Sequence, residues 1–255
     1  MNNQSQVIAV LGSTSVGKTF ICKRLLANYA TYECNTNSEI IRGMTNSDIA
    51  YVVVSAVPRE FSLTIEENVR YIRTAIAFNV QNIVIVVNKV DTVGLQVSCV
   101  VEYVMKKLNK AVWRTKAPIT VLVASAAFSW HRINIGLVQT TREILAKTCT
   151  SEGKHNTEAL LPVCGRVHVN ISVLHTVPIP ITGEIPCCVY DAKTQVYHDA
   201  VLVLHTFRNK EIHAVVHNVR GVLRFTDYSK YLKSHNVILL FQSTLETLGT
   251  ATIVQ

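Results

Sequence analysis

The chain has 255 residues and carries 25 basic against 17 acidic side chains, a formal net charge of +8. That length suits one or two domains of roughly 100–200 residues with a buried core, and 49% apolar with only 16% charged residues excludes a disordered chain, as 10 Gly and 6 Pro exclude a collagen-like one. The charge is unevenly placed, with 16 basic and 9 acidic residues in 1–150 against 9 and 8 in 151–255, so the two parts differ in kind.

In chain order, residues 7–11 (VIAVL), 49–57 (IAYVVVSAV), 83–87 (IVIVV) and 119–124 (ITVLVA) are short, nearly continuous β-branched runs. Strands covered on both faces of a parallel sheet have this pattern. Between them Lys18–Ala30, Ile65–Ala77 and Gln96–Val112 space apolar residues by three and four, which predicts helices, and Asn134–Lys147 is predicted as a closing helix. Strands alternating with helices predict a doubly wound α/β domain with a mostly parallel sheet over residues 1–148. Residues 149–162 are polar and aperiodic, a linker. From 163 to 255 the alternating runs 167–174, 187–192, 199–207, 211–219, 237–243 and 250–254 predict six strands of a small all-β barrel.

Seven cysteines without a C-x-x-C pair indicate buried thiols rather than a disulfide framework or a zinc site. His213 and His217 can share a strand face, but no Cys, Asp or Glu stands at ligand spacing to complete a metal centre. No run reaches the roughly 18–20 apolar residues of a membrane span, and residues 1–6 are polar with no apolar signal segment behind them. A cytoplasmic protein without membrane contact is the expectation.

The first run opens into Gly12-Ser13-Thr14-Ser15-Val16-Gly17-Lys18-Thr19, a G-x-x-x-x-G-K-[ST] loop between a strand and a helix. Glycines let the backbone turn so that the amides around Ser15, Val16 and Gly17 point at phosphate oxygens. Lys18 then reaches the terminal phosphates, and the Thr19 hydroxyl is the candidate ligand for Mg²⁺. The third run ends in Asn88-Lys89-Val90-Asp91, where a carboxylate can accept both N1–H and the exocyclic amine of guanine, a donor pair adenine lacks. The fourth leads into Ser125-Ala126-Ala127, which resembles the S-A-x loop by which P-loop GTPases support the base through a backbone N–H.

These three loops in this order resemble those of P-loop GTPases, and the chain is similar to translational GTPases of the elongation factor 1-alpha group. Ile40–Ala56 resembles the segment after their second switch, Asn88–Asp91 and Ser125–Asn134 continue the likeness, and residues 163–255 resemble their C-terminal barrel. Ile179–Thr182 before Gly183, and Ala192-Lys193-Thr194, most resemble the Hbs-type ribosome-rescue GTPase, the partner of Pelota. The resemblance implies GTP or GDP as ligand, Mg²⁺ weakly held, and a Pelota-like or release-factor-like protein docked on the barrel. Two other readings compete: a nucleotide-independent scaffold derived from such a GTPase, and a factor of the elongation or termination type.

The resemblance breaks between the phosphate loop and Asp48. Once a helix and the post-switch segment are placed, roughly Thr31–Asn37 remains, too little for a switch loop and two strands of about 5–6 residues each. No D-x-x-G occurs there, so the family's switch threonine, its D-x-P-G aspartate and the following histidine have no evident counterpart. Hydrolysis is therefore expected to be weak or absent, and GTP poorly distinguished from GDP. Lys106, Lys107, Lys110, Arg114 and Lys116 form a basic stretch without an acid, a candidate contact for ribosomal RNA through Lys106, Lys107 and Lys110.

Overall fold

The computed structural model describes residues 7–80, 82–112, 119–128, 130–131, 161–162, 165–175, 177–179, 183–205, 211–212, 216–226, 231–232 and 234–254. The chain divides into two compact units, residues 1–153 and 154–255. No helix among the described residues is long and apolar enough to cross a membrane.

The first unit is built on β1 (Val7–Leu11), β2 (Ala30–Glu33), β3 (Ile49–Ser55), β4 (Asn82–Asn88), β5 (Ile119–Ser125) and β6 (Trp130–His131), in the spatial order 2-1-3-4-5-6. The first five strands pair in parallel and β6 closes the edge antiparallel to β5. The apolar runs are continuous because both faces are covered. Ala9, Leu11, Val52, Val54, Ile85 and Val87 join one buried cluster with residues of α2 (Asn37–Thr45), α3 (Pro58–Ala77) and α4 (Val97–Val112). Their neighbours Ile8, Val10, Tyr51, Val53, Val84 and Val86 face the opposite way, onto Ile21 and Leu26. The strand order switches at β1, with β2 on one side and β3 on the other, so a crevice opens at the carboxyl ends of β1 and β3, where doubly wound sheets bind ligands.

Two expectations need correction. The helix predicted over Lys18–Ala30 is one α-helical turn, α1 (Lys18–Phe20), followed by a π-helical turn, Ile21–Leu25. Ending at Leu25, it frees Ala30–Glu33 to become β2, which pairs from Val7↔Ala30 to Val10↔Glu33. This strand is an exposed edge and carries no continuous apolar run, so periodicity misses it. The third helix starts at Pro58 rather than Ile65, because proline at the first turn fixes a helical φ and lacks only an amide that has no helical partner. The predicted helix Asn134–Lys147 lies outside the described residues.

In the second unit β8 (Arg166–Val173), β10 (Glu184–Asp191), β11 (Val196–Leu204), β13 (Val216–Phe225), β15 (Asn236–Phe241) and β16 (Thr247–Ile253) close into an antiparallel barrel of order 10-11-13-8-16-15. Alternate residues such as Ile171, Val189, Leu202, Leu223 and Leu239 fill it. Two short pairs accompany the barrel: β7 (Leu161–Pro162) with β14 (Tyr231–Leu232), and β9 (Val177–Pro178) with β12 (Glu211–Ile212). The run 211–219 is thus divided between β12 and β13. A doubly wound, mostly parallel α/β domain followed by a small all-β barrel is the architecture.

Candidate nucleotide site

At the carboxyl edge of the sheet the loops after β1, β2, β4 and β5 surround a cavity of about 620 Å³. The loop after β1 turns sharply. Gly12 has φ +151° and a Cβ there would lie 2.6 Å from the Val53 carbonyl oxygen. Ser15 (φ +64°) and Gly17 (φ +96°) are left-handed, the backbone geometry that turns successive amides toward an anion. Strain of this kind in a non-glycine residue concentrates at functional sites, and Lys89 (φ +66°), after β4, is a second case.

Lys18 is only 7% exposed. Its Nζ donates to the carbonyls of Gly12 at 2.7 Å and Ser13 at 3.0 Å, which folds the side chain over the loop. Burial pushes its pKa below the ordinary lysine value, opposed by the carboxylates of Glu33 and Glu67. A partly dehydrated ammonium at the mouth of an anion-shaped loop is suited to take a phosphate oxygen.

Thr19 Oγ1 donates to Glu33 Oε1 at 2.7 Å. A carboxylate thus joins Lys18, Thr19 and the loop amides at the phosphate end. Once the helix stops at Leu25, β2 ends with a carboxylate against the Thr19 hydroxyl. A hydroxyl and a carboxylate are the hard oxygen donors that Mg²⁺ takes. Beyond Glu33, the amides of Asn35 and Thr36 both donate to Glu39 Oε2 at 2.9 Å, and Thr36 Oγ1 accepts from Glu39 N at 3.3 Å, a capping box that opens α2.

Asn88 is 3% exposed and joins two loops. Its Nδ2 donates to the Val16 carbonyl at 2.8 Å and its Oδ1 accepts from the Ala126 amide at 2.9 Å. Lys89 Nζ meets Glu60 Oε2 at 2.8 Å, and the same oxygen accepts from Ser55 Oγ at 2.6 Å. The Lys89 bond, then the Ser55 bond, hold the Glu60 carboxyl below its usual range. Asp91 sits exposed on the rim, accepting from Ser125 Oγ at 2.5 Å.

The structure brings the sequence candidates to this one place. Gly12, Ser15, Gly17, Lys18, Thr19, Asn88, Lys89, Asp91 and Ala126 line the cavity, while Val16 and Ser125 support it through Asn88 and Asp91. Motif reading missed Phe20, Glu33, Asn35, Glu67 and Tyr71, which also line it. Only Glu33 carried a usable signal, an acidic residue ending a short strand before a T-x-x-E cap. Glu67 and Tyr71, bonded to each other at 2.5 Å, lie four residues apart on α3 with nothing in the sequence to direct them at a cavity. Elsewhere, Lys106 and Lys107 are exposed on α4. Lys110 falls on the same helix, its side chain outside the described residues, as are Arg114 and Lys116 altogether.

Residues 36–164, just over half of the chain, match the family described as "Elongation factor Tu GTP binding domain". The chain belongs to this family. The match begins beyond the phosphate loop, so the loop adds to it independently. Among solved structures, the elongation factor Tu-type chain is similar to the Ski7 GTPase-like domain of S. cerevisiae, crystallised bound to GTP, with a TM-score of 0.65 and 9% identity over 98% of this chain and 97% of that one. At that identity the likeness concerns the fold, and it spans both units. A bacterial selenocysteine-specific elongation factor, EF-Sec, aligns with a TM-score of 0.46 and 12% identity over 98% of this chain and 58% of that one. No curated protein matches the sequence.

Proposed function

We propose that the protein is a guanine-nucleotide-binding translation factor with impaired hydrolysis. On this reading it acts in ribosome rescue or mRNA surveillance with a Pelota-like or release-factor-like partner on its barrel. The observation that carries nucleotide binding is Asn88, which ties the phosphate loop at Val16 to the base loop at Ala126. One cavity thereby holds an anion-seeking lysine and, at its rim, a carboxylate suited to guanine. The Ski7 GTPase-like domain, which shares this fold, was crystallised bound to GTP, which supports the nucleotide-binding reading.

Thr19 and Glu33 would hold Mg²⁺, which neutralises phosphate charge when bound. Hydrolysis also needs a group to position water and donors to follow charge on the terminal phosphate. Residues 26–29 alone separate the π-helical turn from β2, so no switch loop closes from that side. After Glu33 come Cys34, Asn35, Thr36 and Asn37; none titrates near neutrality, the buried Cys34 thiol being pushed up to about 12. The amides of Asn35 and Thr36 are already given to Glu39. GTP and GDP are therefore expected to bind within a few-fold of each other, roughly 1 kcal/mol, with no multiple-turnover hydrolysis. Turnover abolished by Lys18→Ala contradicts this, and pull-downs with Pelota-like and release-factor-like proteins test the partner.

A second reading, a nucleotide-independent scaffold of the same two folds, draws on Glu33 and Glu39, which satisfy groups a triphosphate would use. It expects no saturable nucleotide binding.

A further inference from the structure

Phe20 follows Thr19 directly, lines the same cavity as Lys18 and Asp91, and is 51% exposed. A single exposed apolar side chain is ordinary on a protein surface, but the setting of this one is not. The Arg24 guanidinium stands over its ring, 5.1 Å from the centroid. Arg24 Nη1 also donates to the backbone carbonyls of Ala126, at 3.4 Å, and Ala127. The aromatic ring is thus linked through one arginine to the loop that supports the base. Arg24 lies in the π-helical turn Ile21–Leu25, a local widening frequent at functional sites. With only residues 26–29 before β2, no longer segment on that side is available to cover a bound nucleoside.

We infer that Phe20 is the wall against which the nucleoside half of a bound guanine nucleotide stacks, and that Arg24 positions this ring against the base loop. The inference rests on the nucleotide-binding reading and adds a specificity-determining contact to it. The division of labour follows from chemistry. Phosphates are taken by Lys18 and the loop amides, to which a phenyl ring adds no hydrogen bond. The π face can instead cover an apolar ribose edge or a base, as aromatic side chains do in nucleic-acid grooves. The exposed ring then becomes covered when ligand is present.

The test is calorimetric titration of the full chain with GDP and, separately, with inorganic pyrophosphate, which has no nucleoside. Phe20→Ala is expected to weaken GDP roughly tenfold or more while leaving pyrophosphate within about twofold. Phe20→Tyr keeps the ring and the GDP affinity. Arg24→Gln weakens GDP and not pyrophosphate. Phe20→Leu, which keeps apolar bulk without the π face, is read in the same way should the alanine variant not fold. If wild type binds GDP and neither Phe20→Ala nor Phe20→Leu changes that affinity, or if pyrophosphate falls in parallel with GDP, the inference is overturned and nucleotide binding stands. Absence of GDP binding by wild type overturns both.

Discussion

At Gly17 and Asn88 the space between two loops is used up. A Cβ on Gly17, whose φ is +96°, would stand 2.4 Å from Asn88 Nδ2, so an alanine there must displace the side chain that joins the phosphate and base loops. Gly17→Ala is expected to destabilise the fold by about 1–3 kcal/mol, through strain and the broken bonds, and to remove GDP binding in the same titration. Gly94 also has a positive φ, +55°, but nothing within 4 Å of the added carbon. Gly94→Ala should therefore cost only about 1 kcal/mol of backbone strain and leave binding intact. The Glu60–Lys89 pair makes a second residue-scale prediction. Its carboxyl is held below the ordinary 4.5, so its contribution is present above that value and lost as pH falls through the folded one. Both side chains are partly exposed, 45% for Glu60 and 27% for Lys89, which limits the pair to about 0–1 kcal/mol. Urea denaturation of wild type and Glu60→Gln should differ by that much at pH 7 and converge as pH falls below the ordinary carboxyl range and the Glu60 carboxylate takes up its proton. The motif residues were legible in advance because each chemistry fixes residue type and spacing together. Phe20, Glu67 and Tyr71 were not, since their role depends on where a helix stops and which way it faces.

Elements divide by how strongly burial marks them. β1, β3, β4 and β5 are covered on both faces, so their β-branched runs stand out in the sequence, and the six barrel strands show by alternation. β2 is short, polar and at an edge, and only the early end of the first helix releases it. Helix α2 depends on its N-terminus: Thr36 and Glu39 cap each other's backbone. Thr36→Ala should cost about 1 kcal/mol of stability, with Thr36→Ser restoring most of it, as read from denaturant midpoints. The same cap withdraws the Asn35 and Thr36 amides from the cavity. Glu39→Ala should accordingly shift the ratio of GTP to GDP affinity in favour of GTP, whereas an unchanged ratio would show that these amides lie beyond reach of the terminal phosphate.

On the scale of the molecule, the basic excess lies in the nucleotide-binding unit, with 16 basic against 9 acidic residues in 1–150. Lys106 and Lys107 are exposed on α4 and Lys110 lies one turn on, the part of that excess proposed to meet ribosomal RNA. Replacing all three with Glu should weaken ribosome co-sedimentation and flatten its salt dependence, since each lost phosphate contact lowers the slope by about 0.7–0.9. Co-sedimentation unchanged at every salt concentration would remove that surface from the account. The nucleotide-binding proposal and the role given to Phe20 both depend on guanine nucleotide entering the cavity between the loops of Lys18 and Asp91. Titration of the purified chain with fluorescent GDP measures this directly. Saturable binding that is lost in Lys18→Ala and resists an excess of ATP is the predicted result, and a wild-type chain that shows no saturable binding, or whose GDP is displaced by ATP, contradicts it.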